Sequence, residues 1–291
     1  MSRLSEKQYW DAVYQSREKP LDTSNDGARK RQPLKSKGKI WIKNLLGKKL
    51  LGYMFYRHHS RVFWDVILKN HLPDMKGTRM LEVGCAPGTG LVTFNQRLDC
   101  VPYGIDYSEQ GVEASRQAFI ANNLNPDNAI HADFFSDEFH AKYKESFDMV
   151  YSGGFIEHFT DARDVVNRHV SLLAKGGYLV IIIPNLRGIY NSILKIFYKE
   201  LLDIHNLNIM RKDEFAKLFD NEQLTPLLCD YYGTLTLDVV AARKNSPIRF
   251  LLNGLKKLEL ITNLIFHIVL RGKDINTRFT SPYLIFVGVK K

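Results

Sequence analysis

The sequence predicts an α/β fold in which helices cover both faces of a mostly parallel sheet. From residue 79 onward, short apolar segments alternate with helical segments of about 10–14 residues, a pattern typical of βαβ units. A glycine-rich run from Gly84 to Gly90 follows the first apolar segment. The 291 residues, 45% of them hydrophobic, are enough for a full core. This composition excludes a chain that is disordered throughout.

The predicted elements follow in chain order. Five apolar strands are expected at Arg79–Val83, Val101–Asp106, Ala129–Asp133, Phe147–Ser152 and Tyr178–Pro184, the last preceded by a turn at Gly176-Gly177. Helices are expected at about 60–71, Glu109–Ala121 and Ala162–Leu173. Later segments are a helical stretch at about 187–218, strand-like segments Pro226–Tyr232 and Thr234–Ala241, a helix at about 248–270 and a strand at Tyr283–Val289.

The positive charge lies in two flanking segments. The formal net charge is +10, yet residues 61–242 carry 17 Lys and Arg against 24 Asp and Glu. Residues 1–60 carry 14 basic and 5 acidic residues, and residues 243–273 carry 7 and 1. An acidic body does not favour a nucleic-acid partner. We expect residues 1–60 to form a basic helical extension, with helices at 5–16 and 40–56 and a flexible linker between them. Residues 61–291 should form the main domain, with helical insertions at about 187–218 and 247–271.

Cysteines and apolar stretches bear on the cellular compartment. Cys85, Cys100 and Cys229 have no redox or metal-ligand spacing, and their odd number argues against a disulfide framework. The first ten residues have no apolar region typical of a secretory signal. The longest apolar stretch, Leu260 to Leu270, is too short to span a bilayer, which requires about 20 residues. We therefore predict a cytoplasmic protein, and a peripheral position at the inner face of the membrane remains an alternative.

The ends of the first three predicted strands carry residues that suit a nucleotide ligand. Glycines after the first strand let the backbone approach a ligand, beside the unpaired N–H groups of the next helix. Asp106 ends the second strand and is placed to accept hydrogen bonds from ribose hydroxyls. Asp133, followed by Phe134, ends the third strand and suits an adenine ring.

The residues around the glycines select among cofactors. Ala86 replaces the middle glycine of the dinucleotide fingerprint, so the strict G-x-G-x-x-G pattern fails. Glu82, two residues before Gly84, would repel a pyrophosphate but suits a cationic ligand that carries an amino group. This combination favours S-adenosylmethionine.

Several motifs resemble those of class I S-adenosylmethionine-dependent methyltransferases. Residues Leu81 to Gly90 resemble their motif I, and Tyr103 to Ser108 and His131 to Phe134 resemble the motifs of the second and third strands. Residues Phe147 to Ser152, followed by Phe155 to His158, resemble motif IV, and Leu172 to Gly177 resemble the lead into the fifth strand. The resemblance implies a Rossmann-like, seven-stranded sheet with one antiparallel strand near an edge.

The resemblance also implies roles for individual residues. Glu82 would neighbour the methionine amino group, and the glycine-rich run (Gly84, Cys85, Ala86, Gly88 and Gly90) would approach the methionine portion. Asp106 would bind the ribose, with Tyr107 against the adenine. Asp133 and Phe134 would bind the adenine edge, and Ser152 and Gly153 would pass near the amino-acid part.

The sequence also predicts residues of the acceptor site. His158 follows the fourth strand and is the expected general base for a hydroxyl or amine acceptor; an alternative role is to shape the loop together with Glu157. Glu157, Tyr190, His205 and Asn206 are expected to contact the substrate. No His, Asp and Glu spacing predicts a metal site.

The predicted helix at 248–270 is amphipathic. Lys256, Asn263 and His267 fall on one side of a helical wheel, and Leu258 and Ile265 fall on the other. It is interpreted either as a helix packed on the domain with a solvated basic face, or as an interfacial helix on anionic lipid or over an acceptor pocket. Residues 39–48 show a similar but shorter pattern, and the segments 39–56 and 248–271 are the expected contacts with an anionic membrane.

We expect an enzyme that methylates a hydroxyl or amine of a small-molecule, glycan or lipid-linked acceptor. Two alternatives remain open at this point. One is an RNA or DNA methyltransferase that uses the basic N-terminus, and the other is a non-catalytic protein that binds S-adenosylmethionine.

Overall fold

The structure is a computed structural model and describes residues 3–4, 56–240, 247–271 and 273–291. A single seven-stranded sheet has the order β3-β2-β1-β4-β5-β7-β6. Its strands are β1 (Arg79–Val83), β2 (Val101–Asp106), β3 (Ala129–His131), β4 (Phe147–Gly153), β5 (Leu173–Pro184), β6 (Leu224–Tyr232) and β7 (Tyr283–Lys290). Strand β7 runs antiparallel to both of its neighbours, one place in from the edge. The expected seven-stranded Rossmann-like sheet with one antiparallel strand is confirmed.

Helices cover both faces of the sheet. The helical run α1 comprises His58–Arg61, the π-helical Val62–Leu68 and Lys69–His71. The following helices are α2 (Thr89–Leu98), α3 (Glu109–Ala121), α4 (Asp137–Tyr143), α5 (Ala162–Leu172), α6 (Gly188–Phe197), α7 (Lys199–Asp203), α8 (Lys212–Lys217) and α9 (Pro247–Leu270). Short 3₁₀ turns lie at Pro126–Asn128, Ile156–His158 and Leu207–Met210. The helices expected at 5–16 and 40–56, and the linker between them, lie outside the described residues.

The central strands are rich in apolar residues because both of their faces are buried. Leu81 and Val150 belong to one hydrophobic cluster, and their chain neighbours Met80 and Met149 belong to the cluster on the opposite face. Each of these four side chains is inaccessible to solvent. This packing explains why the strands read as continuous apolar runs instead of alternating ones.

Two strand predictions differ from the structure. Strand β3 ends at His131, two residues early, because Asp133 forms a turn in which its Oδ1 accepts the N–H of Phe135 at 3.0 Å. The strand expected at Thr234–Ala241 is wrong as far as Val240, since residues 233–240 form bends and turns. Thr234 has a φ of 55°, which is incompatible with an extended strand.

Strand β5 begins at Leu173, five residues before the predicted start. The predicted turn at Gly176-Gly177 is a bulge, which lies between the pairs Phe147–Leu173 and Met149–Tyr178. Gly176 supplies the positive φ of 76° that this bulge requires.

Helix α9 packs with its polar side against the domain. Asn263 is 4% exposed, and its side-chain oxygen accepts the N–H of His58 at 3.2 Å. Glu259 is buried, accepts the hydroxyl of Thr236 and accepts the N–H of Leu237 at 3.3 Å. The interpretation with a solvated basic face does not hold at Lys256, whose Nζ donates to the carbonyl of Val240 at 3.1 Å, whereas Arg271 is exposed. The apolar residues Leu255, Leu258, Ile261, Ile265, Ile268 and Val269, which we call the α9 stripe, are exposed.

None of the helices in the described ranges is long and apolar enough to span a membrane.

Candidate active site

The carboxyl ends of the parallel strands β1 to β5 lie on the same side of the sheet, and two cavities meet there. The first cavity is lined mainly by the segments after β1, β2 and β3, namely Arg3, Gly84, Ala86, Ile105, Asp106, Tyr107, Ala132, Asp133, Phe134, Phe135, Gly153, Gly154, Phe155, His158 and Phe159. The second is lined by His59, Ser60, Phe63, Trp64, Glu82, Gly90, Thr93, Phe94, Tyr151, Gly153, Gly154, Glu157, His158, Ile182, Pro184, His205, Tyr232 and Tyr283. Gly153, Gly154 and His158 border both. Open α/β sheets bind ligands at this position, beyond the carboxyl ends of their strands.

Glycines keep the floor of both cavities open. At Gly84, φ is 75°, and a Cβ atom there would lie 2.9 Å from Cδ2 of Phe155. At Gly90, a Cβ atom would lie 3.1 Å from Oε2 of Glu82. A larger residue at either position would displace a side chain that lines a cavity.

Asp106 connects the ends of β1 and β2. Its Oδ1 accepts the N–H of Ser108 at 2.9 Å, and its Oδ2 accepts the N–H of Ala86 at 3.3 Å. Burial raises the pKa of Asp106, against these hydrogen bonds, which favour the carboxylate. The side chain thus fixes the glycine-rich run at the mouth of the first cavity.

Aromatic rings and one ion pair define the outer part of the first cavity. The guanidinium of Arg3 lies 2.8 Å from Oδ1 of Asp133 and 5.2 Å from the ring centroid of Tyr107. The buried ring of Phe134 lies 5.5 Å, edge to face, from that of Phe155. The result is a slot with flat walls and a carboxylate at its rim, which suits a purine.

Glu82 contributes a carboxylate to the wall of the second cavity. Its Oε2 atom is buried and has no hydrogen-bond partner in the described part of the chain. Burial, and secondarily the charge of Asp106, raise the pKa of Glu82 to about 8. A ligand ammonium group would satisfy the oxygen and favour the ionised form.

Three polar side chains converge on the second cavity. Glu157 and His158 lie in the 3₁₀ turn after β4, and His205 lies just beyond α7. The imidazoles of His158 and His205 are 4.5 Å apart between centroids. Burial raises the pKa of Glu157 to about 8, and burial together with His205 lowers the pKa of His158 to about 3. Protonation of His158 is therefore unfavourable, which weighs against its predicted role as general base.

A comparison with known protein families identifies the family of this chain. A family model described as a methyltransferase domain matches residues 56–229, which is more than half of the chain. The chain belongs to this methyltransferase family. It is a class I S-adenosylmethionine-dependent enzyme, with S-adenosylmethionine as its cofactor. No curated protein sequence matches it.

Solved structures show the same fold as the methyltransferase. The structure of MccD protein is 16% identical with a TM-score of 0.53, over 80% of this chain and 97% of that one. Geranyl diphosphate C-methyltransferase from Streptomyces coelicolor A3(2), solved with Mg²⁺, geranyl diphosphate and S-adenosyl-L-homocysteine, is 13% identical with a TM-score of 0.54. That match covers 84% of this chain and 89% of that one. Identities this low show the fold alone.

The residues of the methyltransferase fit its cofactor. The orphaned Oε2 of Glu82 suits the amino group, Gly84 and Gly90 leave room for the backbone approach, and the slot between Tyr107 and Phe134 suits the adenine. Two other predicted cofactor residues lie behind the cavity walls. The side chains of Cys85 and Ser152 are buried, and neither residue lines a cavity. Gly88, directly before α2, has a φ of 80° and also lines neither cavity.

Two predicted substrate contacts are contradicted by the structure. Tyr190 is inaccessible to solvent and lines neither cavity, and its hydroxyl donates to the carbonyl of Thr280 at 2.7 Å. Asn206 also lines neither cavity. Its side-chain amide donates to the carbonyl of Phe159 at 3.2 Å, and its backbone N–H donates to that of Glu157 at 2.7 Å. Asn206 therefore ties the His205 segment to the 3₁₀ turn instead of contacting substrate.

Sequence reasoning missed most of the second cavity of the methyltransferase. Its aromatic wall comes from distant segments: Phe63 and Trp64 in α1, Phe94 in α2, Tyr232 at the end of β6 and Tyr283 at the start of β7. The antiparallel direction of β7 brings Tyr283 opposite Tyr232 at the same edge, with the two rings stacked at 5.3 Å. Arg3 was also missed, and no local motif marks any of these residues.

Proposed function

We propose that the methyltransferase methylates a hydroxyl oxygen of a small acceptor that carries a ring or an apolar group. The observation that supports this most is the meeting of the two cavities at Gly153, Gly154 and His158. One cavity has the features of a nucleoside site and the other those of an acceptor site, so their junction is where transfer would occur.

The first cavity would hold the nucleoside part of the donor, and the adjoining part of the second cavity, which Glu82 lines, would hold its amino group. S-adenosylmethionine, when bound, supplies a methyl group on a positively charged sulfur. Glu82 would bind the amino group of the ligand, Asp106 its ribose hydroxyls, and Asp133 the adenine edge. Because such a donor is already activated, the main task of the chain is to align the acceptor and to exclude water.

The second cavity would hold the acceptor. Rings from Phe63, Trp64 and Tyr232 form a wall suited to stacking on a planar or apolar group. The polar atoms of Glu157 and His205 lie in the same cavity and offer hydrogen-bonding positions for a hydroxyl. Small phenolic molecules, sugars and lipid-linked intermediates share this combination of apolar surface and hydroxyl group.

Trp64→Ala tests this assignment. Calorimetry with S-adenosylhomocysteine should show unchanged binding in the variant, while mass spectrometry of methylated products from a panel of phenols and glycans should show a KM raised at least several-fold. Ile120→Ala, an exposed residue of α3 that lines neither cavity, is the control. Methylation of RNA in place of the panel would support a nucleic-acid substrate. Tight cofactor binding without transfer to any acceptor would support a non-catalytic binding protein.

We also infer that the α9 stripe contacts a membrane surface and that the acceptor is lipid-linked. Leu258 is 56% exposed and Val269 is 68% exposed on a helix whose polar side is already paired with the domain. Exposed apolar side chains at helical spacing are typical of interfacial helices. Residues 39–55, which also showed an amphipathic pattern, lie outside the described residues.

Vesicle flotation tests the membrane contact. The double variant Leu258→Asn, Ile265→Asn should bind vesicles with phosphatidylglycerol at least several-fold less than the wild-type chain. Ile196→Asn is the control because Ile196 is also exposed, at 73%, on α6 and outside the stripe. Equal flotation of the double variant and the wild-type chain would remove this inference.

A further inference from the structure

Glu157, His158 and His205 form a cluster whose geometry is that of a metal site. One potential ligand atom from each residue lies within 4.8 Å of the others. All three residues line the second cavity. In a tetrahedral site with metal bonds of about 2.1 Å to nitrogen and oxygen, the ligand atoms lie about 3.4 Å apart. The three side chains therefore need to move together by at most about 1.4 Å.

Both imidazoles have the hydrogen bond typical of metal-bound histidines. Nδ1 of His158 lies 3.0 Å from the carbonyl oxygen of Ile204, and Nδ1 of His205 lies 2.6 Å from that of Leu201. A carbonyl oxygen only accepts, so Nδ1 carries the proton in both rings and Nε2 carries the lone pair. Metal-binding histidines almost always donate their other ring N–H to such an acceptor, which fixes the tautomer and the ring orientation.

Glu157 supplies an independent observation. The residue is 1% exposed, and its Oε2 atom has no hydrogen-bond partner in the described part of the chain. A buried carboxylate oxygen without a partner is costly, and such groups call for a ligand or an ion. A cation bound by the two imidazoles would complete its coordination.

The backbone holds the cluster in place before any ion binds. The N–H of Asn206 donates to the carbonyl of Glu157 at 2.7 Å, so the segment that carries His205 is tied directly to the turn that carries the other two residues. Ligands that are fixed in this way by hydrogen bonds lose little freedom on binding.

We propose that Glu157, His158 and His205 bind one divalent transition-metal ion, of which Zn²⁺ is the type, in the acceptor cavity. Two nitrogen ligands and one carboxylate suit such an ion and leave at least one coordination position open. This inference rests on the proposed function for the role of that position, which would receive the acceptor oxygen. An ion there lowers the pKa of a bound hydroxyl. The proton lost from the hydroxyl would pass to solvent, and the oxygen would form a bond to the methyl carbon as the sulfur–carbon bond breaks, with its electron pair left on sulfur.

Direct metal binding tests the proposal without an activity assay. The full chain, first stripped with a chelator and dialysed, is titrated with Zn²⁺ by calorimetry, and bound zinc is counted by elemental analysis. We expect one ion per chain and at least a tenfold weaker affinity in Glu157→Gln and in His205→Ala. Visible absorption bands of bound Co²⁺ should be lost in His205→Ala.

A matched histidine controls for nonspecific effects. His71 is also partly buried, and its Nδ1 contacts the carbonyl of the residue four positions earlier at 2.8 Å, as in His205. His71→Ala should bind Zn²⁺ and Co²⁺ like the wild-type chain. Binding of S-adenosylhomocysteine shows that each variant is folded, because its nucleoside slot does not include His205 or His71. Absence of a stoichiometric site in the wild-type chain would overturn the proposal, as would equal metal binding in His205→Ala and His71→Ala.

The metal site and the proposed function fail separately. If Zn²⁺ binds as expected but no hydroxyl acceptor is methylated, the site stands and the acceptor assignment falls. If a hydroxyl acceptor is methylated at the same rate by the stripped chain and by the zinc-loaded chain, the function stands and the metal role falls.

Discussion

Replacing Glu82 with glutamine tests whether a buried carboxylate binds the amino group of the cofactor. In the free protein, burial raises the pKa of Glu82 to about 8, so most chains carry it protonated at neutral pH. Binding of an ammonium group requires the carboxylate. The association constant should therefore follow the fraction of Glu82 that is ionised, and binding should release a proton.

The expected size of the effect follows from this pKa. With a pKa of about 8, roughly 1% of Glu82 is ionised at pH 6 and about 9% at pH 7. The amino group of the ligand belongs to a free amino acid, whose neighbouring carboxylate stabilises the ammonium form, so it stays protonated over the same range. Affinity for S-adenosylhomocysteine should rise about ninefold between these pH values, with release of close to one proton. Because Glu82 borders a cavity that water enters, this is an upper bound.

Calorimetry in buffers of different ionisation enthalpy measures both the affinity and the proton count. In Glu82→Gln, the affinity at pH 7 should be lower than in the wild-type chain, and both the pH dependence and the proton release should disappear. Glu138→Gln, which changes an exposed carboxylate on α4, is the control. A flat affinity in the wild-type chain over pH 6–7, or the same slope in Glu82→Gln, would refute the reasoning.

The same carboxylate gives the ligand-free protein a pH-dependent stability. The folded pKa of Glu82, about 8, lies above its ordinary value of 4.5, so the folded state holds the proton more tightly than the unfolded state. This stabilising contribution is complete below about pH 4.5 and is lost as pH rises through 8. The drop in Tm between pH 6 and pH 8 should therefore be smaller in Glu82→Gln, as measured by calorimetric scans without ligand.

Two further substitutions distinguish a residue that lines a cavity from a residue that is buried in the core. Gly90→Ala should weaken binding of S-adenosylhomocysteine several-fold by calorimetry, because the new Cβ would lie 3.1 Å from Oε2 of Glu82; unchanged affinity would contradict the close approach. Tyr190→Phe should lower the free energy of unfolding in urea by about 1–3 kcal/mol, through loss of the hydroxyl bond to Thr280, with no change in acceptor KM. A raised KM with unchanged stability would return Tyr190 to the acceptor site.

The nucleotide half of the site was predictable because its residues are close in sequence. A strand that ends in a glycine-rich run places Glu82, Gly84 and Gly90 together by local geometry alone. The parallel register then fixes Asp106 beside that run, since Glu82 pairs with Gly104 two residues before it. Local pattern and one topological rule were enough for these residues.

The acceptor half depends on contacts that no local pattern encodes. His205 lies far along the chain from His158, and the two rings meet because α7 folds back over the turn after β4. Tyr283 reaches the cavity only because β7 runs antiparallel. Amphipathic spacing also misled the interpretation of α9, because a helical wheel separates two faces without saying which is buried. Backbone N–H groups that donate to the side-chain oxygens of Asn263 and Glu259 show that the polar face packs inward.

Two buried carboxylate oxygens have the same electrostatic requirement for a positively charged group. Glu82 and Glu157 each have a buried Oε2 atom without a hydrogen-bond partner in the described residues, and both border the second cavity. Burial raises both pKa values to about 8, so each carboxylate is destabilised until a positive group arrives. We propose that the ammonium group of the cofactor would meet one requirement and the metal ion the other. Binding of either cation should then favour ionisation at its own carboxylate, which makes the acidic body of the chain a site prepared for cationic ligands.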